Sequence, residues 1–184
     1  MTIYSLVLFL HVGATLTVAS TLSIDALILF ELRASPYAAM HSRLKLWSRV
    51  PRIAGTSGVV LLLSGGYLTH QMSALTLAWP KVALAALILI GILGGVSGSR
   101  ISVLLKVCVA GQARESEFIR RLQDPLLNVS LSVRIALLFA AVLLMNAKPE
   151  LWQSLAIIGV SVILGLAVAF VIPRSESRTA DAVG

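Results

Sequence analysis

Cysteine is almost missing from this chain. Cys108 stands alone, which excludes an internal disulfide and offers no zinc-type cluster. Charge is also scarce. Asp, Glu, Lys and Arg make up 12% of the residues, against about 25% in an average soluble domain. The motifs of soluble chemistry are absent as well: no GxxxxGK[ST], no GxGxxG, no HExxH and no CxxC. No Ser/His/Asp grouping stands out, and no internal repeat is visible. Residues 1–5 hold no positive charge, so a cleaved signal peptide is not expected.

What is present in abundance is apolar sequence. Of the 184 residues, 58% are hydrophobic, and the mean hydropathy is +0.93. Long apolar runs lie at about 3–30, 51–72, 79–105, 126–146 and 151–172. Each approaches the roughly 20 residues that an α-helix needs to cross a bilayer. The expected fold is therefore all-α: a polytopic transmembrane helical bundle of five spans, filling 1–173 as one domain. The tail 174–184, RSESRTADAVG, is polar and small and is expected to be disordered and cytoplasmic.

The net charge of +7 would suit nucleic acid in a soluble protein, but here its placement matters more than its sum. Arg33, Arg43, Lys45, Arg49 and Arg52 cluster around the first connection. Arg100, Lys106, Arg114, Arg120 and Arg121 cluster around the third. The second has only Lys81 and the fourth only Lys148, while Arg174 and Arg178 follow the last span. Basic-rich and basic-poor connections alternate, which sets the N-terminus outside and the C-terminus inside, with a bacterial inner membrane as the natural location. Tyr4, Tyr67, Trp79 and Trp152 fall at the outer boundary of this arrangement; Tyr37 and Trp47 fall at the inner one. The expected partners are the bilayer itself, anionic inner-leaflet lipids at the basic loops, and a membrane protein or a second copy. No nucleic acid is expected. Residues 100–123 read as the third helix running on into the cytoplasm and along the surface. Asp124-Pro125 reads as an N-cap followed by proline at the first helical position.

The second and third segments are rich in glycine: Gly55, Gly58, Gly65 and Gly66, then Gly91, Gly94, Gly95 and Gly98. Small residues at this spacing let helices pack closely in lipid. The alternative is room beside them for a flat cofactor or a lipid tail.

Ionisable groups inside apolar runs are the functional candidates, because each costs free energy unless it faces the protein interior with a partner. At 100° per residue, His11, Thr15, Val18, Leu22 and Asp25 share one stripe of the first helix. That stripe should face the bundle. His11 lies in the outer half and His70 near the outer end of the second segment. Neutral imidazole ligates metals and haem iron, so both are candidate cofactor ligands; the alternative for His11 is a hydrogen bond across the bundle to a Ser, Thr or backbone carbonyl, and for His70 a hydrated place at the interface. No dedicated metal site is read. Asp25 and Arg134 both fall on the inner side at similar depth and should form an ion pair; a proton or anion path is the sharper reading of the same residues. His41 lies in the first connection and carries no reading. Cys108 reads as a small apolar filler or a lipidation site.

LFLHVGATLTVAS, in the first segment, resembles the first-helix "LHxxGA" pattern of a broad group of small bacterial membrane bundles. WPKVALAALILIGILGGVSGSR resembles their third-helix pattern, carrying Trp79, Lys81 and the glycines. The group includes an uncharacterised integral-membrane family, the copper-resistance D-type membrane domain and the J-type protoporphyrinogen oxidase. The resemblance implies that His11 matches the first-helix histidine, which in the oxidase is associated with haem and catalysis. Where the pattern has a tryptophan and two glycines after the histidine, this chain has Thr17, Ala19 and Ser20.

Three functions fit these residues. One is a structural or accessory bundle whose polar stripe holds helices together. Another is a haem- or metal-linked membrane redox protein using His11. The third is a small transporter with a path along His11, Thr15 and Asp25. No catalytic residue is assigned. The charge asymmetry carries a direct test: cytoplasmic reporters fused within the first and third connections should be active, and those fused within the second and fourth inactive. The reverse pattern would invert the orientation.

Overall fold

The computed structural model describes residues 2–34, 47, 49–109 and 124–171, without the side chains of 33, 34 and 104–109. His41, Tyr37, the basic side chains of 33, 43 and 45, the Cys108 side chain, the surface helix expected before 123 and the tail lie outside this description. Among the described residues the chain is all-α, with five long helices. They are α1 (Ile3–Ala34), α2 (Val50–Gln71), α3 (Ala78–Val109), α4 (Pro125–Ala147) and α5 (Leu151–Val171). A short 3-10 turn, Ala74–Thr76, joins α2 to α3.

Four of these, α1, α3, α4 and α5, are long and apolar enough to cross a membrane. The helix outside that group is α2. Its 22 residues include Arg52, Thr56, Ser57, Ser64, Thr69, His70, Gln71 and the glycines, which dilute its hydropathy without shortening it. At 1.5 Å per residue it is still about 33 Å long.

Helix ends follow local chemistry. Asp124 caps α4 by accepting from the Leu126 amide at 3.0 Å, with Pro125 at the first helical position. Its other carboxylate oxygen takes Arg100 of α3, tying the start of α4 to its neighbour. At the far end Lys148 adopts a left-handed conformation, φ 48°, and its amide returns to the Leu144 carbonyl. That closes α4 in the usual left-handed manner and turns the chain sharply into α5.

Successive helices run antiparallel. His11 of α1 meets Ser64 of α2 at one end, while Ile28, Leu29 and Leu32 cluster with Trp47 and Val50 at the other. Pro51 of α2 lies beside Gly98 of α3. Ser97 of α3 bonds Ser130 of α4. Central in the bundle is α4: half of its apolar window is buried, against 17% for α5. Leu137 and Leu144 are wholly enclosed. The middle of the core joins Ala14, Val18 and Leu22 of α1 to Leu61, Ile90 and Leu137.

Lipid tails are as apolar as leucine, so burial alone does not drive these helices together; packing and polar contacts must. Among the described glycines, the tightest approach to another helix falls outside the two glycine-rich segments. A Cβ on Gly165 of α5 would stand 2.9 Å from Val133 Cα and 3.1 Å from the Ser132 carbonyl oxygen of α4. By contrast Gly55, Gly58, Gly66, Gly91 and Gly95 face open space. Between α2 and α3 the glycine contact is thus the one of Gly98 with Pro51, and the five others named do not pack on the facing helix. Gly165→Ala should destabilise the protein by about 1–3 kcal/mol, the usual cost of overpacking. Gly159→Ala, with nothing within 4 Å, should leave stability unchanged. Unfolding midpoints in detergent compare the two.

Candidate functional site

The α1 stripe turns inward. Val18 and Leu22 are buried, His11 and Asp25 are each 9% exposed, and Thr15 is half-buried. Its two ionisable ends enter different surroundings.

Toward the C-terminal end of α1, the structure brings Asp25 to Arg134 of α4, with Nη1 to Oδ2 at 3.2 Å. The second carboxylate oxygen, Oδ1, accepts from Trp47 Nε1 at 2.8 Å. One carboxylate therefore ties α1 to α4 and to the segment that leads into α2. Charge-assisted bonds of this kind are about twice as strong as neutral ones. The Arg134 guanidinium lies flat over Gly94 of α3, where an added Cβ would stand 3.2 Å from its Cζ and Nη2. Arg134 Nε is enclosed and has no acceptor among the described residues. Beside the pair, Ser97 donates to Ser130 Oγ at 2.7 Å, and Ser130 donates across to the Leu93 carbonyl at 3.1 Å. Asp25, Arg134 and Ser97 line a cavity of about 460 Å³, walled by Gly55, Gly58, Gly91 and Gly95.

At the other end, His11 Nδ1 lies 3.0 Å from Ser64 Oγ of α2. The ring rests on Gly65, whose added Cβ would stand 3.2 Å from Cε1. His11 lines a second cavity of about 270 Å³, with Thr15, Thr69, Trp79, Lys81 and mostly apolar neighbours. His70 does not share it. That side chain is exposed and is not on the cavity wall, so His11 and His70 do not pair there. Among the described residues no three His, Cys, Asp or Glu side chains gather as a metal ion would require.

The two cavities share Leu62, Leu87 and Ile90 as lining. Between His11 and Asp25 the stripe itself is closed by Val18 and Leu22, packed among Leu61, Ile90 and Leu137. Among the described residues no polar column links the histidine to the acid.

Sequence reasoning passed over Trp47 and Ser64 as partners, and Gly94 and Gly65 as seats. Of the tryptophans expected at the membrane boundaries, Trp47 and Trp79 are buried in the bundle and Trp152 is exposed. The Trp47 indole N–H serves Asp25 and Trp79 walls the His11 cavity. An indole N–H at the depth of an unpaired acid was the available signal for Trp47.

Fold and site together define a helical, multi-pass membrane bundle with a buried ion pair. No family model, no curated protein and no solved structure matches this chain.

A double-mutant cycle tests the pair. Arg134→Leu alone should destabilise by about 3–5 kcal/mol, because it orphans a buried carboxylate. Adding Asp25→Leu should recover most of that loss. Additive losses in unfolding titrations would show that the two side chains do not interact.

Proposed function

We propose that this protein is a non-enzymatic accessory or scaffold bundle of a bacterial inner membrane. In this reading all five helices span, including α2, with the N-terminus outside and the C-terminus inside. Support for α2 comes from its length and from its antiparallel seating along α1, from Ser64 at one end to Val50 at the other. Anionic inner-leaflet lipids meet the basic connections, and a membrane protein or a second copy meets the outer helix faces. Exposed apolar side chains along α5, among them Ile163, Leu164 and Phe170, suit such contacts or plain lipid.

One observation carries the reading. Both oxygens of Asp25 are already engaged, by Trp47 and by Arg134. A carboxylate held on both sides is suited to joining helices and poorly suited to passing a proton along. The closed apolar stretch around Val18 and Leu22 argues likewise against a path from His11 to Asp25.

The resemblance to the copper-resistance domain and the J-type oxidase raises a redox alternative centred on His11. The residues do not fit a haem. The cavity beside His11, at about 270 Å³, is too small for a tetrapyrrole, which needs a broad slot. His70 stands outside it and offers no second axial ligand.

The readings separate in one preparation. Detergent-purified protein should be colourless and should give no pH-driven flux in liposomes. A Soret band lost in His11→Ala would replace this proposal with the redox one. A flux lost in Asp25→Asn would replace it with a transporter.

A further inference from the structure

The hydrogen bonds around His11 determine more than its position. Ser64 has one hydroxyl proton, and its Oγ lies 2.6 Å from the Val60 carbonyl oxygen. Two oxygens that close need a proton between them, so Ser64 donates to Val60. Toward His11 the Ser64 oxygen is then only an acceptor. The 3.0 Å contact with Nδ1 therefore requires the proton on Nδ1. Neutral His11 is left with a bare lone pair on Nε2.

That nitrogen has no partner among the described residues. It is also not among the fully enclosed polar atoms that lack one, which are Trp79 Nε1 and Arg134 Nε. His11 is among the residues that line the cavity, and its Nε2 is not fully enclosed. The other hydroxyls on the wall have spent their protons: Thr15 donates to the His11 carbonyl at 2.9 Å and Thr69 to the Gly65 carbonyl at 2.7 Å. The rest of the lining is mainly leucine, isoleucine and alanine, with exposed Lys81 at the edge.

We infer that this cavity is a binding site for a lipid-soluble molecule with a single O–H donor on an aliphatic body, its hydroxyl donating to His11 Nε2. A water molecule alone would satisfy Nε2 but leave the apolar walls without partner atoms. An O–H carried on hydrocarbon satisfies both. Two membrane sources share this chemistry, a long-chain alcohol and a protonated fatty acid. Ser64 acts as a positioning residue by holding the proton on Nδ1.

The test uses full-length protein with ¹⁵N-labelled histidine in phospholipid nanodiscs. Before any addition, the nitrogen shifts of His11 should report a protonated Nδ1 and a bare Nε2. Adding 1-dodecanol or dodecanoic acid should move the Nε2 resonance, and whichever of the two does so names the source. Dodecane and dodecyl methyl ether, which lack the donor, should not move it. His11→Phe should abolish the binding of radiolabelled probe. Ser64→Ala should keep the fold, free the tautomer and weaken binding by about tenfold, the scale of one lost hydrogen bond. A proton found on Nε2 in the unliganded protein overturns the proposal. So does a shift caused equally by the ether, or none with either probe. These readouts are independent of whether His11→Phe folds, because the tautomer is read in the unaltered chain.

Discussion

The structure depends on one carboxylate. Asp25 sits in hydrocarbon-like surroundings, where an uncompensated charge costs several kcal/mol. The chain meets that cost by bringing a guanidinium from α4 and an indole N–H from the segment ahead of α2 to its two oxygens. In water the hydrophobic effect would gather these helices without help. In a bilayer it does not, so a directional bond that fails in every other arrangement has a larger say in how the helices register. Asp25, Arg134 and Trp47 belong to three separate stretches of chain. Their meeting fixes the depth of α1 against α4 and the entry of the chain into α2.

Glycine makes these meetings sterically possible. Arg134 lies over Gly94 and His11 over Gly65. In each case a polar side chain from one helix lies so close that a Cβ on the next helix would stand only 3.2 Å away. The glycines of α2 and α3 thus do not join those two helices along a close seam. Several face the cavity beside the ion pair, and among the described glycines the tightest contact with another helix's backbone is at Gly165 on α5. The same residue type therefore has two uses in this bundle: a seat for a guanidinium or an imidazole, and a true helix crossing.

The polar interior falls into two separate groups. In the Asp25 group the carboxylate is filled from both sides, while Arg134 Nε has no acceptor among the described residues. The His11 group is open on one side, because Ser64 engages only Nδ1. Val18, Leu22 and their neighbours keep the two apart. This division favours a structural task for the acid. It leaves His11 with unspent bonding capacity at Nε2.

Composition and charge placement alone determined that this is an all-helical membrane protein, where its apolar segments lie, and that Asp124-Pro125 opens a helix. Helical period alone put His11 and Asp25 on one inward stripe. These are local or statistical properties, and each depends on residues near one another in sequence. Tertiary structure decided which groups answer to which. Trp47 turned from the boundary to Asp25, Ser64 took up one nitrogen of His11, and His70 stayed exposed. It also decided that the glycines seat side chains. Such pairings depend on the rotation and depth of helices far apart in the chain. Those are set by many packing contacts at once, and no pattern within a single segment encodes them.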